Sequence, residues 1–209
     1  MIPEKFIYIG ISISLIGIFF YIKDIISGDT KPNRVSWFFW MLAPFVGAYL
    51  QFKAGAGLSV LAILISGIGP LLVLIASFIW NKNSYWKITV FDILCGLFAL
   101  VALVIYIFTN KFAISIAFAI LSDLLAGIPT LIKSWKFPET ETGFEYICSV
   151  LNALIGISVI KNWSFSIYSF GVYLVIFNLT IVYFVYRKIF TPKLDLGGDV
   201  GKEILQKSE

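Results

Sequence analysis

Seven apolar stretches follow one another along the chain, at 6–22, 35–52, 58–80, 88–108, 112–132, 144–160 and 165–186. A helix crossing a bilayer needs about 20 apolar residues, and hydrocarbon offers no hydrogen-bond partner to an open, irregular backbone. The pattern therefore points to an all-α polytopic membrane protein with seven transmembrane helices. Between the runs stand ordinary turn residues, such as Ser27-Gly28-Asp29, Lys53-Ala54-Gly55, Asn81-Lys82-Asn83 and Phe137-Pro138-Glu139. Composition removes the alternatives. With 59% hydrophobic and 13% charged residues, the chain is far too apolar for disorder or for a water-soluble enzyme.

The basic residues set an orientation. Lys5, Lys53, Lys111 and Lys161 fall on one side of the spans. On the other fall Lys23, Lys31, Arg34, Lys82, Lys87, Lys133 and Lys136, then Arg187, Lys188, Lys193, Lys202 and Lys207. The positive-inside rule puts the second set in the cytoplasm. The expectation is a multi-pass protein of the plasma (inner) membrane, with the amino terminus outside and the carboxyl terminus in the cytoplasm. No basic cluster suits nucleic acid. The first run lacks a basic n-region and a small-residue cleavage site, so no cleavable signal peptide is expected. The chain has no histidine, which excludes a His-ligated metal or a His base. Cys95 and Cys148 sit inside apolar runs without CxxC spacing, as small buried hydrophobes. Neither metal nor cofactor is expected. Trp37, Trp80, Trp86, Trp135 and Trp163 lie near run ends and read as interface anchors.

A repeat underlies the runs. An ungapped shift of 110 residues places Ser12, Gly17, Ile22, Lys23 and Thr30 on Ser122, Gly127, Ile132, Lys133 and Thr140. Asp29 then faces Glu139. A directly duplicated three-helix unit would be inverted in the membrane, and one additional helix restores parity. The expected architecture is thus a 3+1+3 parallel-repeat arrangement. Its parts are a first bundle at 6–80, a linker helix at 81–110, a second bundle at 111–188 and a cytoplasmic tail at 189–209.

Two segments carry a family resemblance. Pro129-Thr130-Leu131-Ile132-Lys133-Ser134-Trp135-Lys136, followed by Thr140-Glu141-Thr142-Gly143-Phe144, resembles the PQ-loop signature. Ser66-Gly67-Ile68-Gly69 on the third run resembles the Asn-Gly-x-Gly segment of SWEET transporters. Thr130 stands in place of the family's Gln, and Phe19-Phe20 stands where the first repeat would carry Pro-Gln. The resemblance implies small-solute transport by alternating access, with Ser66 at the place of a substrate-contacting Asn. It also implies that proline kinks, here Pro44, Pro70 and Pro129, act as hinges for rocking helices.

The residues themselves nominate a site. Asp123 lies near the middle of the fifth run, where a carboxylate costs about 2.5–3.5 kcal/mol to insert. It shares a helical face with Ala126, Gly127 and Thr130. It reads as a proton-coupling or substrate group facing the bundle interior, or as a buried acid satisfied by a Ser, Tyr or Trp donor. Asn152 and Asn178 stand at mid-membrane depth, where each is either pocket lining or interhelical glue. Trp40 is deeper than the other tryptophans, as a stacking platform or as packing. Asp92 fits a helix amino terminus. Asp29, Lys31, Arg34, Glu139, Glu141 and Glu145 line cytoplasmic loops, where the resemblance allows inner-gate ion pairs but most read as solvated.

The leading functional expectation is a carrier for a small polar solute, sugar-like or amino-acid-like, facilitative or proton-coupled. Its cavity would be lined by Trp40, Ser66, Asp123, Asn152 and Asn178. A non-transporting receptor or scaffold on the same fold is the competing reading. An enzyme is disfavoured, because Asp123 stands alone at its depth. The expected partners are the solute and the lipid bilayer, and glycines such as Gly17, Gly47 and Gly96 allow close contacts within a protomer or in a homo-oligomer.

Overall fold

Each apolar run folds into one helix: α1 Ile7–Ser27, α2 Arg34–Lys53, α3 Val60–Ile79, α4 Val90–Phe108, α5 Phe112–Lys136, α6 Gly143–Ser158 and α7 Phe165–Phe190. The structure is a computed structural model and describes residues 2–80, 86–109 and 111–190. The expected break at 81–83 and the tail beyond 190 lie outside those residues. Five helices are long and apolar enough to cross a membrane, while α4 and α6 are shorter apolar helices. The 16 residues of α6 rise only about 24 Å, against a hydrocarbon core of about 30 Å. The chain is a helical membrane protein.

The helix ends follow from the need to satisfy terminal N–H and C=O groups. Gly28 closes α1 at φ 88°, where its N–H reaches the carbonyls of Asp24 and Ile25; a side chain there would be strained. The Asn33 side chain accepts from the N–H groups of Val35 and Ser36 and so opens α2. Thr89 and Asp92 form a reciprocal capping box at the start of α4. Asn33 Nδ2 donates to Asp92 Oδ1 at 3.2 Å, which joins the caps of α2 and α4. Thr89→Ala removes the cap acceptor and is expected to cost about 0.5–2 kcal/mol. Amide exchange confined to the first turn of α4 would register that loss.

Six helices close a ring. Going round it, α1 packs on α3, α3 on α2, α2 on α5, α5 on α7, α7 on α6, and α6 on α1. Helix α4 lies outside, against α5 and α2. Phe19, Phe78, Phe98 and Ile176 are exposed on the outer surface, which suits a protein whose solvent is hydrocarbon. The largest inner cluster gathers Tyr21, Trp37, Trp40, Tyr146, Phe177 and Ile181. Trp37 is only 2% exposed and stacks edge-on to Trp40 at 5.3 Å. The expectation that it anchors at an interface is therefore corrected: the i, i+3 spacing puts Trp37 on the inner face with Trp40. Trp80, Trp135 and Trp163 do sit on the exposed surface.

Candidate functional site

On the axis of the six-helix ring lies a cavity of about 50 Å³, to which every ring helix contributes. That volume holds a few waters and no more. Trp40 and Pro44 come from α2, Ser66 and Pro70 from α3, Asp123 from α5 and Asn178 from α7. Six of the eight residues expected as cavity lining or hinges thus meet at one place.

Asp123 faces inward and is 2% exposed. Its Oδ2 accepts a 2.8 Å hydrogen bond from the Tyr173 hydroxyl on α7. Its Oδ1 is buried without a hydrogen-bond partner. One oxygen of Asp123 is thus held by a Tyr donor, and the other has no partner within the protein. Trp40 Nε1 donates to the Asp123 carbonyl at 3.2 Å, which fixes the indole across the α2–α5 seam. Below it, Ser36 Oγ donates to the Ala126 carbonyl at 2.6 Å and accepts from Thr130 Oγ1 at 2.9 Å. The polar stripe of α5 is thereby stitched to α2.

The other polar residues are tied within the protein. Ser66 Oγ bonds the Ala62 carbonyl in its own helix at 2.9 Å, and Asn178 Nδ2 bonds that of Leu174 at 2.7 Å. Two expected residues lie elsewhere. Asn152 is fully buried, but its Nδ2 reaches across to the Ala62 carbonyl at 3.0 Å, and its face meets α1 and α3 instead of the cavity. Pro129 borders a groove between the start of α4 and the end of α5, beside Trp86 and Phe137.

The structure adds what the sequence reading missed. Glu145, expected in a solvated loop, is 6% exposed, lines the cavity from the first turn of α6 and accepts from Ser149 Oγ at 2.9 Å. Asp123 is therefore not the only acid there. The sequence signal was available: Glu145, Cys148, Ser149 and Asn152 recur at helical spacing on one face. Tyr146 and Phe177 complete aromatic walls with Trp37 and Trp40.

Glu141 is also a correction, since it is buried. It forms an ion pair with Lys133 at the end of α5 and accepts from the hydroxyls of Tyr21 and Tyr146. Lys133 Nζ further donates to the carbonyls of Lys31 at 2.5 Å and Thr140 at 3.3 Å. Thr142, hydrogen-bonded to Thr30, donates to Asp24 Oδ2 at 2.7 Å. These groups tie α1, α5 and α6 together at this end of the ring. Elsewhere in the ring α3 and α6 approach closely, and a Cβ on Gly156 would stand 2.6 Å from that of Ala62. Among the described residues, no group of His, Cys, Asp and Glu is arranged to hold a metal ion. No protein-family model, curated protein or solved structure matches the chain.

Proposed function

We propose that this protein is a carrier that moves a small polar solute across the membrane by alternating access between two three-helix bundles, α1–α3 and α5–α7, with α4 as the linker. The packing supports the repeat: α1 and α2 both rest on α3 as α5 and α6 both rest on α7, and α1 meets α6 as α5 meets α2. This is the plan the PQ-loop resemblance implies, with the basic end, Lys133 included, toward the cytoplasm of the plasma membrane. One observation carries the reading. A small cavity lined by all six ring helices sits on the ring axis, with the buried carboxylate of Asp123 in its wall.

The mechanism follows from the ring. Opening its basic end requires the Lys133–Glu141 cluster to part, and rocking the bundles apart separates α3 from α6 where they meet at Gly156. Pro44, Pro70 and Pro129 each lie inside a helix and each removes a backbone hydrogen bond there, so α2, α3 and α5 bend at those points as the bundles rock. Asp123, at the seam of the bundles, binds solute or proton and couples occupancy to rocking. Purified protein in liposomes is expected to show counterflow of a labelled solute from a panel of glucose, alanine and small amines. Asp123→Asn is expected to slow it at least about tenfold, the effect of losing one charge-assisted hydrogen bond of about 1.5–3 kcal/mol. Binding without counterflow would instead establish a receptor.

A further inference from the structure

Resting on the carrier reading, the cavity also indicates which class of solute fits it. Its lining holds two carboxylates, Asp123 and Glu145, and no lysine or arginine. Lys133, a buried base at the end of α5, is matched by Glu141 and is not part of the lining. Two buried carboxylates with no base in the lining favour a positively charged occupant, which pairs them in their ionised form.

The walls narrow the choice. Trp37, Trp40, Tyr146 and Phe177 surround the acids, and the Trp40 ring stands 5.6 Å from Phe177 and 6.5 Å from Tyr146. Aromatic faces stabilise an organic cation and its alkyl carbons, whereas a hard inorganic ion prefers a shell of oxygens. The unpartnered Oδ1 of Asp123 asks for a hydrogen-bond donor, which an ammonium N–H supplies and a quaternary ammonium lacks. The small volume limits the occupant to a few heavy atoms. We infer that the cavity is a binding site for a small primary alkylammonium ion, its charged head donating to Oδ1 of Asp123, its carbons against the indole and phenyl faces, and Glu145 adding negative charge to the wall.

A series of equal-sized probes tests this on the intact protein in detergent micelles: propylammonium, propanol and propionate, titrated at constant ionic strength with sodium as the balancing cation. Propylammonium is expected to raise the melting temperature and quench tryptophan fluorescence, with propanol and propionate at least about tenfold weaker. Tetramethylammonium, which has no N–H, is expected to bind less tightly than propylammonium. Asp123→Asn is expected to weaken propylammonium binding by a similar factor and Glu145→Gln by less, while a variant outside the cavity, Thr89→Ala, leaves it unchanged. The wild-type series decides the matter even where a variant fails to fold. Absence of propylammonium binding, equal binding of propanol, or equal stabilisation by sodium overturns the assignment. Propylammonium that binds without counterflow in liposomes keeps the cation site and removes the carrier. Counterflow of glucose without propylammonium binding does the reverse.

Discussion

Lys133→Met is expected to destabilise the protein by about 3–5 kcal/mol, the cost of breaking a buried ion pair by deleting one partner. The loss arises in what remains. Glu141 keeps its carboxylate in the protein interior, where Tyr21 and Tyr146 still donate to Oε1 but no cation balances Oε2. The carbonyls of Lys31 and Thr140 lose their shared donor at the same time. Substituting both partners, as in Lys133→Met with Glu141→Gln, removes the stranded charge and is expected to recover more than half of the loss. The double variant should also transport differently, because the basic end then rests on neutral hydrogen bonds and opens more readily. Equilibrium unfolding in mixed micelles measures the stabilities, and a double-mutant cycle gives the coupling. Additive losses, or a single variant within 1 kcal/mol of wild type on that scale, would show that the pair is not what holds this end together.

The bilayer makes some of this fold readable and hides the rest. All seven helices coincide with the apolar runs, because a lipid-facing helix must be apolar along its length. Their ends do not coincide. Helix α1 runs on through Lys23 and Asp24 to Ser27, and α5 continues past Ile132 to Lys136, since hydrogen bonding and not hydropathy terminates a helix. That extension turns Lys133 from a loop residue into a helical one, able to reach Glu141. A place well inside an apolar run was legible for Asp123, Asn152 and Asn178. The direction each faces depends on how its helix is rotated in the ring, and only neighbours determine that. Asp123 turns to the cavity, Asn152 turns to Ala62, and Trp37, although close to the start of α2, follows Trp40 inward. Glu145 was hidden for a different reason: the polar residues 139–142 before it blur the start of α6, so its place on the face of Cys148 and Asn152 is easily passed over.

Gly127→Ala tests whether the cavity depends on helix approach at the seam, and two opposing effects decide its sign. Alanine is favoured over glycine in a helix by about 1 kcal/mol. Against this, a Cβ at Gly127 would stand 2.3 Å from Cζ of Phe177, 2.8 Å from its Cε2 and 3.3 Å from Cζ2 of Trp40. Phe177 has little room to yield, since it packs against Trp40 at 5.6 Å and Tyr173 at 5.6 Å and is itself part of the cavity wall. Overpacking of this kind costs about 1–3 kcal/mol, so the net outcome is destabilisation, read as a lower melting temperature. The functional effect should be larger than the stability effect. A methyl group that displaces Phe177 pushes its ring into a chamber of about 50 Å³, which leaves no room for an occupant. Solute binding is therefore expected to fall by at least about tenfold, more than 1.4 kcal/mol. Adding Phe177→Leu removes the ring edge that the methyl meets, and the double variant should regain stability and part of the binding. Gly96, on α4 outside the ring, provides the control. A Cβ there would stand 2.9 Å from Cγ1 of Val35 and 3.3 Å from Cε2 of Phe39, neither of which lines the cavity, so Gly96→Ala should cost stability by forcing α4 from α2 while no wall residue enters the chamber. Equal losses of binding in the two variants would mean that binding follows overall stability and not the position of Phe177.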